Sequence, residues 1–168
     1  MGSIPAVDAG TLIVLASGDE GAIELARPVL QSLGEVRFLG ALGNGSSLKL
    51  IANTTIAGVS ALAAELLAAG ARAGLNVDDV FWALSRISPY LNSRRAGLVD
   101  HQYEPVTFAL RDAVKDLRLA TDLYKRVGAS TPLSMETKAL FEKAAESSGE
   151  LDMSAISSLY QRSPTKRG

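Results

Sequence analysis

A chain of 168 residues is long enough for one ordinary domain, or for a small domain with an appendage. With 47 % apolar and 21 % charged residues it should fold around a real core, and a formal net charge of -1 gives no drive toward nucleic acid or an acidic membrane. There is no cysteine and His101 is the single histidine, which excludes disulfides, thiolate metal sites and histidine-rich metal centres, so no metal is expected.

No basic stretch leads into an apolar one at the start of the chain. A signal peptide is therefore not read, and a cytoplasmic location is expected. Thr11-Leu-Ile-Val-Leu-Ala16 is a short apolar run that ends at Ser17-Gly18-Asp19, the pattern of a buried strand. Residues 20 to 33 carry Ile23, Ala26, Val29, Leu30 and Leu33 at helical spacing, with Gly34 as the C-cap. Glu35-Val-Arg-Phe-Leu39 alternates and reads as a second strand. The result is a β-α-β unit over residues 10 to 40. Two strands alone are marginal in water, and no further strand is read downstream. The sheet these strands require is expected to lie outside this chain.

A glycine-rich turn, Gly40-Ala-Leu-Gly43-Asn-Gly45, leads into a long helix expected over 46–73. At 1.5 Å per residue that helix is about 42 Å long. Between Lys49 and Arg72 its only formal charge is Glu65. A membrane span is set aside, because Asn53, Thr54, Thr55, Gly58 and Ser60 crowd the first half and alanine fills the second. Burial by other helices, and by another chain, is the expected arrangement.

Shorter helices follow. One spans 77–87, with Asp78 and Asp79 suited to its N-terminus. A weaker pattern covers 92–100. A helix over 107–127 has Leu110, Val114, Leu117, Ala120, Leu123, Tyr124 and Val127 at helical spacing, and Gly128 stops it. Thr131 and Pro132 should cap and open the next helix, to about residue 147. A last helix is expected over 154–161, then a frayed tail over 163–168. Phe81, Trp82 and Leu84 read as core. His101 and the Arg94–Arg95 pair read as surface, with a substrate carboxylate as the other use of the arginines.

The glycine turn sits where a phosphate loop would, between a strand and a helix. Its order, G-x-x-G-x-G, is not the dinucleotide fingerprint G-x-G-x-x-G, and no strand follows the helix. A Walker A loop would need lysine where Ser46 stands. The turn therefore reads as a device that lets backbone enter the helix close to a neighbour, with exposed amides at the helix start as a second use, favouring an anionic ligand group. Lys49 and Asn53, four residues apart, share one helix face.

Gly43-Asn-Gly-Ser-Ser-Leu-Lys49-Leu-Ile-Ala-Asn53 resembles the G-x-G-x-x-x-K-x-x-x-N segment of β-hydroxyacid dehydrogenases, typified by 3-hydroxyisobutyrate dehydrogenase. Ala9-Gly-Thr-Leu-Ile-Val-Leu-Ala-Ser-Gly18-Asp19 looks like the family's A-G-T-L strand and glycine turn. Phe108-Ala-Leu-Arg-Asp-Ala-Val-Lys115-Asp-Leu-Arg-Leu-Ala120 is similar to its Phe…Lys-Asp-Leu-x-Leu-Ala helix, and Thr131-Pro-Leu follows at the expected distance. The family's enzymes begin with a Rossmann domain carrying G-x-G-x-x-G, which this sequence lacks. The family's substrate-carboxylate loop, Ser-Gly-Gly, would fall where Met1-Gly2-Ser3 stands. Gly2 and Ser3 are candidate remnants of that loop, or the start of the reading frame and a cloning scar.

The resemblance implies a mainly α fold. A β-α-β remnant of the cofactor-domain sheet, residues 1–42, would precede an all-helical domain, 43–168. That domain would be built on the long central helix, like the C-terminal domain of 6-phosphogluconate dehydrogenase. It implies Lys49 as the catalytic acid-base, and Asn53, with Gly2 and Ser3, as substrate-binding. Lys115, braced by Asp116, and Phe108 would lie near the cofactor. NAD or NADP would serve the complete enzyme, with no tight binding to this chain alone. A lysine can take a hydroxyl proton when partial burial makes its charged form less favourable. The implied partners are a second copy, a separate Rossmann domain and a small hydroxyacid, with no nucleic acid and no membrane. Two other functions compete: a non-catalytic helical homodimer, and a relative of imine reductases, against which the lysine at position 49 argues.

Overall fold

The computed structural model describes residues 1–2 and 4–161. Ser3 and the expected tail over 163–168 lie outside them. The chain divides into two compact units, Met1–Asn53 and Thr54 onward.

The first unit opens with a short helix missed in the sequence, α1 (Ile4–Asp8), and then gives β1 (Leu12–Ala16), α2 (Glu20–Leu33) and β2 (Gly34–Phe38). The two strands pair in parallel, from Leu12 opposite Gly34 to Ala16 opposite Phe38. Gly34 is required there, since a Cβ on it would sit 1.9 Å from the Leu12 carbonyl oxygen. Asp19 caps α2 by accepting the Ala22 N–H at 2.7 Å.

Burial in this unit departs from the apolar pattern. Val29 of the expected inner face is 68 % exposed, and Leu33 and Ile13 are also exposed. The reason is geometric: two strands and one helix offer too little surface to cover both faces of the sheet and all of the apolar stripe.

The second unit is helical. Helix α3 (Asn44–Arg72) runs into it from the first unit. Then come α4 (Val77–Ile87), a 3-10 turn (Pro89–Arg94), α5 (Arg95–Leu98), α6 (Leu110–Arg126), α7 (Pro132–Ser148) and a second 3-10 segment (Met153–Tyr160). The core joins Ala57, Ala61, Ala64 and Leu67 of α3 to Phe81, Leu110, Leu117, Phe141, Met153 and Ile156. Alanine on the inner face of α3 lets its neighbours approach closely. Ser60, buried on that face, donates to the Ile56 carbonyl at 2.9 Å. By length and composition alone α3 could cross a membrane, but it carries this packed face and exposes Glu65.

Several local expectations need correction. Trp82 is 61 % exposed and not core, and the Arg86 guanidinium lies 5.5 Å from its ring centroid. The helix expected over 92–100 is a 3-10 turn followed by a four-residue helix. There Asn92 and Ser93 bond the carbonyls of Pro89 and Tyr90, at 3.1 and 2.8 Å, and compete with regular helical bonding. Thr131 makes no side-chain cap, because its φ of -134° and ψ of 62° lie outside the extended capping conformation. The last expected helix is 3-10 along its length.

Arg94, expected at the surface, is buried against Asp152. Asp152 Oδ2 accepts from Arg94 Nη1 at 2.7 Å, from the Thr107 N–H at 3.1 Å and Oγ1 at 2.9 Å, and from the Phe108 N–H at 3.3 Å. Its Oδ1 accepts from the Ser154 N–H at 3.0 Å and Oγ at 2.8 Å. Burial works to raise the Asp152 pKa, but the Ser154 hydrogen bonds, Arg94 and Thr107 outweigh it and hold the carboxyl below its ordinary value.

Asp152→Ala is expected to lower stability by about 3 kcal/mol at neutral pH, because it strands Arg94 in a buried setting. A carboxyl with a lowered folded-state pKa stabilises fully above the unfolded value, 3.8, and loses that contribution as pH falls through the folded value. Urea titrations of both proteins should therefore show their difference shrinking below about pH 4.

Candidate functional site

The glycine turn after β2 works as a strand-to-helix junction. Gly40 and Gly43 have φ of 74° and 95°, which glycine adopts without strain. Gly45 is needed for space, since a Cβ there would meet the Leu15 carbonyl oxygen at 2.6 Å and Ser17 Oγ at 3.2 Å. The Gly45 N–H donates to Ser17 Oγ at 3.1 Å, and the Gly18 N–H to the Gly40 carbonyl at 2.8 Å. Asn44 Nδ2 donates to the Leu39 carbonyl at 2.8 Å. These bonds fix the start of α3 against the C-terminal end of β1. The Gly45 amide is thus spent inside the junction.

Lys49 follows Gly45 by one helical turn and is exposed; Asn53, one turn further, is half-buried. Both belong to the first unit. Gly2 is exposed beside β1, where the Met1 carbonyl accepts the Ile13 N–H at 2.9 Å.

The other candidates lie in the second unit. Phe108 is half-buried just before α6, and its carbonyl accepts the Met153 N–H at 2.8 Å. The Leu110 N–H donates to the Leu151 carbonyl, also at 2.8 Å. Lys115 is exposed on α6, with Nζ 3.5 Å from Asp116 Oδ1 and 4.0 Å from Asp112 Oδ1. Asp116 itself is buried. A solvated pair of this kind contributes little to stability, and what it does is fix the direction of an ammonium.

Sequence reasoning missed Asp152. The pattern Asp152-Met-Ser154 just before an apolar run is a helix-capping signal, and it was the one available pointer. Nothing local announces the partners at 94, 107 and 108, which are brought in by the fold.

With this geometry in hand, comparison with known proteins is decisive. Residues 43–160 match the family described as NAD-binding of NADP-dependent 3-hydroxyisobutyrate dehydrogenase. The chain belongs to the 3-hydroxyisobutyrate dehydrogenase-like family. It is 33 % identical over 158 residues to glyoxylate/succinic semialdehyde reductase 2, chloroplastic, of Arabidopsis thaliana, covering 90 % of this chain and 43 % of that protein. It is 30 % identical over 156 residues to the cytokine-like nuclear factor N-PAC of Mus musculus, covering 90 % of this chain and 28 % of that one. The crystal structure of 3-hydroxyisobutyrate dehydrogenase from Salmonella typhimurium superposes with a TM-score of 0.84 at 30 % identity, covering 95 % of this chain and 57 % of that one. The chain thus spans about half the length of the dehydrogenase and reductase relatives it matches.

The β1–α3 junction can be tested directly. Gly45→Ala is expected to cost about 1–3 kcal/mol, because the new methyl meets backbone that cannot rotate away. Ser17→Ala, which removes a single hydrogen bond, should cost about 1 kcal/mol. Urea unfolding of the two variants would check the order.

Proposed function

We propose that this chain is the helical substrate-binding and dimerisation portion of an NAD(P)-dependent β-hydroxyacid dehydrogenase. It turns over only when a dinucleotide-binding domain supplies the other wall of the site. The observation that carries this reading is the junction at Gly45. It starts α3 so that Lys49 and Asn53 fall on one stripe, one and two turns beyond Gly45, and this supports the reading together with a family match that begins at residue 43.

On this reading Lys49 takes the proton of the substrate's β-hydroxyl and returns it in the reverse direction. Asn53 bonds the hydroxyl or the carboxylate and keeps it aligned, with Gly2 and Ser3 near the carboxylate. Phe108 and Lys115 contribute one edge of the cofactor site. Asp116 holds the Lys115 ammonium in place. NAD or NADP, bound by the complete enzyme, supplies the hydride acceptor. The Gly45 amide of the glycine turn is already bonded to Ser17, which supports the reading that the cofactor is held tightly only by the complete enzyme.

Dimerisation is supported by α3. Leu62 and Leu66 are 55 % and 38 % exposed, and with Ala69 they form an apolar stripe on the side of the helix away from its packed face. A second reading, a non-catalytic helical homodimer, draws on the nuclear-factor relative and on the same stripe. The cytoplasm is the proposed location for either.

Three measurements test these readings. NAD or NADP titrated into the chain alone should show no tight binding, and micromolar affinity would defeat the split-site reading. Mixing with the dinucleotide-binding half of a relative should restore oxidation of a small β-hydroxyacid. Lys49→Ala should then reduce hydride transfer by about 100-fold or more, the usual yield of acid-base catalysis, whereas a loss under tenfold removes Lys49 from that role. Absence of any restored turnover favours the non-catalytic dimer. Light scattering on a sizing column should give a dimer, and Leu62→Glu with Leu66→Glu should shift it to monomer.

A further inference from the structure

A cavity of about 560 Å³ opens in the second unit, among the last turns of α3, the start of α4, α5 and the second 3-10 segment. That volume lies within the range of roughly 300–1,000 Å³ found for small-molecule pockets. Its floor is apolar, formed by Ala64, Leu67, Ala68, Val77 and Leu98. Ala64, Leu67 and Leu98 belong to the buried core, so the floor is fixed by packing. Neither Phe108 nor Lys115 lines it.

The other end of the cavity is polar. Arg72 closes α3, and among the described residues it enters no ion pair; Nη2 donates to the Tyr160 carbonyl at 3.3 Å. A guanidinium has five N–H donors, so most of the fork remains for a ligand. His101 also lines the cavity, in a left-handed conformation, φ 55°. The surrounding backbone enforces this: the N–H groups of Asp100 and Gln102 both donate to the Ala96 carbonyl, at 3.1 and 2.9 Å. A residue fixed in that region of conformational space is a pointer to a ligand site.

The hydrogen bonds around the ring settle its tautomer. Ser157 Oγ donates to the Gly97 carbonyl at 3.1 Å, so Tyr103 Oη donates to Ser157 Oγ at 3.0 Å. Tyr103 Oη then accepts from Gln161 Nε2 at 2.9 Å and from His101 Nδ1 at 3.4 Å. A ring that donates from Nδ1 carries a lone pair at Nε2 and offers a carboxylate no donor there, so Arg72 is the group that would hold one. Burial, with Glu65 and Glu136 nearby, pushes the Tyr160 hydroxyl above its ordinary pKa and keeps it a donor. Neither glutamate lines the cavity.

We propose that this cavity binds a small monocarboxylate with an unbranched apolar tail, its carboxylate on Arg72 and its tail on the floor of Ala64, Leu67 and Ala68. The inference goes beyond the dehydrogenase reading and does not depend on it. An unpaired guanidinium matches a carboxylate in two parallel bonds. An ammonium would be repelled there, and a neutral alcohol would forgo the charge-assisted pair.

Octanoate, octanol and octylammonium titrated into the full chain by calorimetry test this. Octanoate should bind saturably with one site per chain, octanol at least tenfold more weakly, and octylammonium not at all. Arg72→Gln should weaken octanoate at least tenfold and leave octanol unchanged. Ala68→Phe should abolish both, with the circular dichroism melt confirming the fold. If that variant does not fold, the Arg72→Gln comparison decides alone. Equal affinity for the three probes, or octanoate binding indifferent to Arg72→Gln, overturns the proposal. So does octanoate binding that disappears as two copies associate, since a second copy would then be the occupant.

Discussion

The second unit depends on one buried carboxylate. Asp152 gathers the guanidinium of Arg94, the backbone and side chain of Thr107, the backbone of Phe108 and both donors of Ser154. These donors come from three stretches distant in sequence: the 3-10 turn after α4, the entry to α6 and the last 3-10 segment. An apolar residue could fill the same volume but could not fix the register of three backbones. A buried ion pair is often no more stabilising than a well-packed apolar substitute. Its contribution here is positional: it sets where α6 begins, and therefore where Phe108 and Lys115 stand.

The parts legible in the sequence were those whose cause is local. Helix α2 runs over the expected 20–33, because Asp19 caps one end and Gly34 follows the other. Helix α4 likewise runs over the expected 77–87; Asn76, whose side chain accepts the Asp78 N–H at 2.8 Å, supplies a cap beside the acidic pair. The long α3 was visible because its apolar content persists over many turns. What was not legible depended on distant partners. Arg94 looks like a surface arginine until residue 152 is brought to it. Trp82 looks like core because it is large and apolar, yet it lies outside, against Arg86.

The helical placement of Lys49 and Asn53 was legible for a related reason. A glycine at 43 answers a conformational need and a glycine at 45 answers a steric one, and both leave a mark in sequence. Together they fix where the helix starts, and Lys49, one turn on, inherits that precision. The spacing from Gly45 to Lys49 to Asn53 is the helical repeat carried forward from a backbone contact. The pattern is therefore geometric before it is chemical, which is why a family match can follow it closely.

Chemistry adds a condition that geometry alone does not meet. A lysine surrounded by water is held in its charged form, which has no lone pair with which to take a proton. Lys49 is exposed in this chain. On the proposed reading, a second surface must dock over it before it can take a proton. The same unit carries other groups that such a surface would cover. Leu25 and Val29 of α2 are 86 % and 68 % exposed, and Ile13 on β1 is 41 % exposed. β2 is also an edge strand of the two-stranded sheet, the kind of edge on which a further strand can pair. One docking event would bury apolar surface, extend the sheet and desolvate the amine. Its driving force would come from the apolar residues and the strand edge, and lowering the basicity of Lys49 would be drawn from that gain.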